Sequence, residues 1–104
     1  MTRTIQVAKD FALLPAGRYK KDGSHTGEHF REKLKDLLSQ SNESIEVNFD
    51  GVLGAGSSFL EEAFAGLIRD GILGKQDFKN KICIIANENP EIAEKVHRYI
   101  EEVN

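Results

Sequence analysis

Tryptophan is absent from this chain of 104 residues, methionine and cysteine occur once each, and proline only twice. A lone cysteine cannot close an intramolecular disulfide, so the fold must hold through its core, and a reducing, cytoplasmic setting is expected. Cys83 lies in the apolar run KICIIAN and reads as a small core hydrophobe. The chain has no linker, repeat or low-complexity tract, and its length suits one core, so a single domain over 1–104 is expected. No apolar run approaches the roughly 18–20 residues that span a bilayer, which excludes a membrane helix. The start, MTRTIQV, lacks the apolar stretch and small-residue cleavage site of a secretory leader.

A basic stripe is also missing. The net charge is −3, and the chain is not uniformly acidic: the first forty residues carry eight Lys/Arg against five Asp/Glu, the remainder six against twelve. Without a dense cationic face, nucleic-acid binding is not expected. The asymmetry fits charge-complementary contact with a protein.

What is present is a clear alternation of patterns. Residues 4–8 alternate as a strand, and Phe11–Leu14 reads as a short second strand stopped by Pro15 and Gly17. Phe30, Leu34, Leu37 and Leu38 mark one face of a helix over 27–40. Residues 44–49 alternate again. Phe59, Leu60, Ala63, Phe64, Leu67 and Ile68 make a broad helical stripe that ends near Asp70-Gly71, where glycine can take a left-handed cap. The continuous apolar run 82–86 reads as a strand covered on both faces. Asn89-Pro90 then supplies an N-cap and a first-turn proline for a last helix carrying Ile92, Val96, Ile100 and Val103. The order is ββαβαβα, an α/β fold with a mainly parallel four-stranded sheet and helices packed on it.

In such sheets, sites collect where strand ends meet helix starts. Residues 54–64, GAGSSFLEEAF, form one such junction. Ser58 and Glu61 have the spacing of a capping box, and Glu61 and Glu62 suit the positive end of the helix dipole. A Walker loop would need a lysine after the glycines, and a hydrolase elbow would need Gly-x-Ser-x-Gly. Neither is present, so no catalytic residue is assigned and an enzyme is not expected. The loop from Arg18 to Glu28 is a second candidate. Turn chemistry explains its glycine and serine but leaves Arg18 and Arg31 free to hold Asp22 or Glu28, or to reach a phosphate. His25 and His29 share a helical spacing, yet no cysteine or third histidine stands near, so neither metal nor cofactor is expected.

The order of elements, with a strand ending in VNFDGV followed by GAGSSFL and an apolar helix, resembles the STAS domain of anti-sigma-factor antagonists and sulfate transporters. GRYKKDGSHTGEHFRE followed by SSFLEEAF resembles, more specifically, the STAS-like domain family of unknown function, over roughly residues 11–100. Gly56 stands where the antagonists carry an acidic residue, and Phe59 where they carry a glycine. The resemblance implies a bacterial regulatory module that binds a protein, with a histidine-kinase-like ATPase as partner and Ser58, or its neighbour Ser57, as phosphoacceptor. The surface it implies comprises Gly56, Phe59, Glu61 and Glu62 with Arg18, Asp22, His25, Glu28 and Arg31. The alternative is a small-ligand or anion-binding domain, or an enzyme, built on the Arg18–Asp22–His25 loop and the Ser57–Ser58 turn.

Overall fold

The computed structural model describes residues 2–104. Strand β1 (Thr2–Gln6) runs directly into a single helical turn, α1 (Val7–Asp10), and a 3-10 turn follows at Lys20–Asp22. Helix α2 (Gly27–Gln40) leads to β2 (Ser44–Asn48). A continuous helix over 57–69, α3, contains a π turn at Glu61–Ala65 between α-helical Ser57–Leu60 and Gly66–Arg69. Then come α4 (Lys75–Lys81), β3 (Ile82–Ile85) and α5 (Pro90–Glu102).

The sheet has three strands, all parallel, in the order β1-β2-β3. Ile5, Val47 and Ile84 stand in one row of the register, and Thr4, Glu46 and Cys83 in the next. Strands laid down in sequence order by right-handed crossovers place their helices on one face. Burial agrees. Ile5, Ile45, Val47 and Ile82 are buried against Phe30 and Leu34 of α2, Phe59 to Leu67 of α3, and Ile92, Val96 and Ile100 of α5.

Three expectations need correction. The sheet has three strands because 11–14 does not form one. The amides of Phe11 and Ala12 bond back to the Val7 carbonyl, closing α1, and beyond them only Leu13 and Pro15 offer carbonyls to 53–56. With no N–H on Pro15, two isolated bonds do not grow into a ladder. For the same reason β1 stops at Gln6, since Val7 and Ala8 coil into α1. Strand 82–85 is covered on one face only, which leaves Cys83 exposed rather than in the core.

Expectation and structure agree elsewhere. Helix α2 spans 27–40, and β2 and β3 are parallel neighbours. Gly71 takes the left-handed conformation after α3, at φ 73°. Asn89 precedes Pro90 as expected, but its side chain makes no capping bond. Thr26 caps α2 through a reciprocal pair with His29: the Thr26 hydroxyl accepts from the His29 amide, and the Thr26 amide donates to His29 Nδ1.

The interior is a run of tilted and edge-on rings. Phe30 meets Phe11, Phe59 and Phe64 at centroid distances of 4.9, 5.6 and 5.8 Å, and Phe64 continues to Phe49 and Phe78 at 6.1 and 6.2 Å. Such contacts add about 0.5–1.5 kcal/mol per pair beyond the apolar area they bury. Among the described residues no helix is long and apolar enough to cross a membrane.

Helices α2 and α3 approach closely where α2 begins. A Cβ on Gly27 would stand 2.7 Å from both the Phe59 carbonyl oxygen and the Glu62 Cβ, contacts that no side chain can keep. Gly27→Ala is therefore expected to lose about 1–3 kcal/mol of stability by forcing the helices apart, despite alanine's better helix propensity. Urea midpoints check this; a variant as stable as the parent would mean that the crossing relaxes freely.

Candidate functional site

The segment after β2 is held on two sides. The Gly51 amide donates to Glu88 Oε1 at 2.7 Å, while Asp50 accepts from the Glu88 amide and the Asn87 side chain at 2.9 and 3.1 Å. On the other side the amides of Leu53 and Gly56 donate to the carbonyls of Leu13 and Pro15 at 2.7 and 3.1 Å. Segment 13–16 thus lies along 53–56, with Leu14 Cδ1 against Gly54 and Ala16 against Gly56.

Helix α3 starts immediately afterwards, and its cap is not Ser58. Gly56 occupies the cap position in extended conformation and its carbonyl accepts from Leu60, so Ser57 and Ser58 form the first turn. Neither serine supplies a side-chain capping bond, and both are exposed. The Ser58–Glu61 capping box is absent because the helix starts two residues before Ser58, at Gly56, and Glu61 bonds Arg18 and Arg69 instead. Phe59 is fully buried among the rings of Phe11 and Phe30, so it is a core residue and not part of an open surface.

The segment that leads into the serines, and the one bonded to it, carry exposed apolar side chains. Leu13, Leu14 and Leu53 are 53%, 61% and 78% exposed. Short-range patterning gave no reason to single them out: Leu13 and Leu14 read as strand, and Leu53 lay in a loop. Only the pairing of two distant loops sets them side by side.

The charged residues gather one turn further along. Arg18 Nη1 lies 2.5 Å from Glu61 Oε1 and 3.0 Å from Glu62 Oε1. Arg69 bonds both Glu61 oxygens and reaches Glu62 Oε1 at 3.3 Å. Arg31 pairs with Glu62 Oε2, and its Nε meets Asp70 at 3.2 Å. Glu62 is only 7% exposed, so a buried carboxylate is compensated by three guanidinium groups. Arg31 Nη1 also approaches the Glu62 carbonyl at 3.4 Å, placing a donor at the backbone of the π turn, where such distortions admit side chains. Arg69 was not anticipated, although its spacing of eight from Glu61 on one helix face is a legible signal.

The remaining candidates are occupied locally. Asp22 accepts from the Tyr19 amide, Glu28 from the Lys20 amide, and neither meets Arg18 or Arg31. His25 pairs with the Ser24 hydroxyl and sits edge-on to Phe11, while His29 Nδ1 is engaged by Thr26. Among the described residues no cluster of three His, Cys, Asp or Glu side chains is placed to hold a metal ion.

Burial pushes the Glu61 carboxyl up, but hydrogen bonds from Arg69 and Arg18 outweigh it and hold the group below its ordinary range. The Glu61 bond correspondingly raises both Arg18 and Arg69. A carboxyl whose folded-state pKa is depressed contributes stability that is complete above its unfolded pKa and is lost as pH falls through the folded value. Glu61→Gln is therefore expected to flatten the loss of stability below the usual carboxylate range. Urea midpoints from neutral pH to about pH 3 measure it, and parallel curves for the two proteins would rule the linkage out. Arg31→Ala, which leaves Glu62 buried with one cation fewer, is expected to cost about 3 kcal/mol, read from the same midpoints at neutral pH.

No curated protein and no solved structure matches the chain. The model of one family, described as STAS-like domain of unknown function (DUF4325), matches residues 26–92. That span begins at the cap of α2, contains the α2–α3 crossing with its Arg31–Glu62 pair and the serine turn, and ends in α5, while Arg18 precedes it. The chain belongs to this family of STAS-like domains.

Proposed function

We propose that this chain is a non-catalytic regulatory module that binds a protein through the surface formed by Leu13, Leu14, Leu53 and the start of α3, with Ser58 as its phosphoacceptor. The observation that carries this reading is that two exposed serines, free of capping duty, directly follow segment 53–56, which is bonded to segment 13–16, and that Leu13, Leu14 and Leu53 on these segments are exposed. Contiguous exposed apolar groups beside a modifiable hydroxyl suit a contact that must be made and released. The partner inferred from the STAS resemblance is a histidine-kinase-like ATPase. Its γ-phosphoryl group would pass from ATP to Ser58 Oγ, with ADP leaving and the hydroxyl proton taken by a base on the kinase.

A phosphate at Ser58 adds about 1.5–2 negative charges. In the first turn of α3 it meets the positive end of the helix dipole, so the fold tolerates it. The cost falls on the interface, where a strongly hydrated group would have to be desolvated against leucine. The alternative reading, an anion or small-ligand site using Arg18 and the serine turn, draws less support. Arg18 is already neutralised by Glu61 and Glu62.

Because Ser58 makes no capping bond, Ser58→Ala is expected to change stability by no more than a few tenths of a kcal/mol, rather than the roughly 1 kcal/mol of a lost cap. Ser58→Asp is expected to weaken binding to the ATPase about tenfold, equivalent to about 1.4 kcal/mol. Leu53→Asp should weaken it likewise, whereas Ser58→Ala should bind but no longer be released on addition of ATP. Calorimetry with the purified ATPase, and mass spectrometry after incubation with ATP, test these points. Equal affinities for all four proteins, with no phosphate on Ser58, would refute the proposal.

A further inference from the structure

Arg18 meets the two carboxylates of α3 through a single nitrogen. Its Nη1 bonds Glu61 Oε1 at 2.5 Å and Glu62 Oε1 at 3.0 Å, and among the described residues its Nε and Nη2 have no partner. Arg69, by contrast, grips Glu61 through both of its Nη nitrogens, and Arg31 is divided between Glu62 and Asp70. The Arg18 side chain is also partly open to solvent. The Nε–Nη2 edge of a guanidinium is a fork that matches two oxygens of a phosphate, and in Arg18 it is unused.

Ser58 stands one turn before the two glutamates, on the same side of the helix. The α-helical spacing holds up to this point, because the Glu61 amide bonds the Ser57 carbonyl. At about 100° per residue, Ser58 lies between the glutamates in azimuth, roughly 60° from Glu61 and roughly 40° from Glu62. Cβ atoms three and four residues apart on a helix are about 5–6 Å from one another. Helical side chains lean toward the N-terminus, so the two carboxylates, and the Arg18 guanidinium they hold, are carried toward the Ser58 turn. Arg69 reaches the same carboxylates from the C-terminal side.

We infer that Arg18 binds the phosphate of phosphorylated Ser58, its Nε–Nη2 edge taking two phosphate oxygens. This rests on the reading of Ser58 as phosphoacceptor and adds what the modified side chain meets. The carbonyls of Gly17 and Arg18 accept from the Gly27 and Glu28 amides at 2.9 Å, so the arginine is presented from an anchored backbone and only its side chain has to turn. A free anion must compete with Glu61 and Glu62 for this arginine, whereas a phosphate on Ser58 is tethered beside it, which raises its effective concentration. Should the phosphate also draw Nη1 away, Glu61 keeps Arg69, and Glu62 keeps Arg31 and Arg69, so neither carboxylate is stranded. Without Arg18 the new charge would face two carboxylates one turn away, a spacing at which like charges destabilise a helix. Ser57 lies roughly 140° from Glu62, outside the arc that the two glutamates span, so the pairing favours Ser58 over its neighbour.

Phosphorus NMR tests the pairing on the full chain with phosphoserine installed at position 58 during translation, titrated from about pH 4 to about pH 9. A neighbouring guanidinium favours the dianion, so the second phosphate ionisation is expected below its ordinary value of about 6. In Arg18→Gln, where Glu61 and Glu62 remain beside the phosphate, it should rise by about one pH unit, a tenfold change in the dissociation constant. Arg18→Lys, which keeps the charge and loses the fork, should fall between the two. Arg69→Gln, which removes the same charge from the other side of the carboxylates, should move it far less. Far-UV circular dichroism should be the same for all four proteins, since Glu62 keeps at least two arginines in each. Coincident titrations of the parent and Arg18→Gln overturn the inference, as does a shift in Arg69→Gln as large as that in Arg18→Gln. The titration needs no ATPase, so failure of an ATPase to modify Ser58 counts against the proposed function and is read separately.

Discussion

Glu62 is where the architecture is tied together. It lies on α3, in the π turn, and its carboxylate is reached by Arg31 from α2, Arg18 from the loop before α2, and Arg69 from further along its own helix. Removing a carboxylate from water costs several kcal/mol, and only well-placed cations and hydrogen bonds recover it. Those cations must come from three separate stretches of chain, so the compensation is available only when α2, α3 and the loop are all in place. The glycines make the geometry attainable: Gly27 lets α2 touch the backbone of α3, and Gly66 leaves room for the Arg31 side chain, which would stand 2.9 Å from a Cβ there.

That arrangement governs the serine turn. With Glu61 committed to Arg18 and Arg69, no acidic side chain returns to close a capping box. The helix begins on Gly56 instead, and the two hydroxyls are left facing solvent. Burial of Phe59 fixes the rotation of this first turn, since its ring must enter the cluster of Phe11, Phe30 and Phe64. The next-door serines then have no option but the surface. A core contact and an ion-pair network thus expose the two hydroxyls at the end of segment 53–56, to which segment 13–16 is bonded.

Periodicity made much of this legible. The i, i+4, i+7, i+8 stripe of α2 and the alternation of 44–49 specify their elements through local burial patterns, and both appear where expected. The failures have a common form. Residues 11–14 carry strand-like composition, yet they pair with nothing continuous, because pairing is a property of two segments and the partner edge belongs to a loop. The run 82–86 is apolar throughout, yet Cys83 faces outward, because the number of covered faces depends on where the crossovers send the helices.

From the sequence alone came the α/β class, the parallel pairing of β2 with β3, the helix boundaries around 27–40, and the left-handed Gly71. These follow from local sterics and from hydrophobic spacing, which act within a few residues. The tertiary structure alone decided which carboxylates the arginines hold, whether Ser58 caps or is free, and where Leu13, Leu14 and Leu53 meet. Each of those outcomes is a competition between partners far apart in the chain. It is settled by close packing at Gly27 and by the demand of buried Glu62 for every cation within reach.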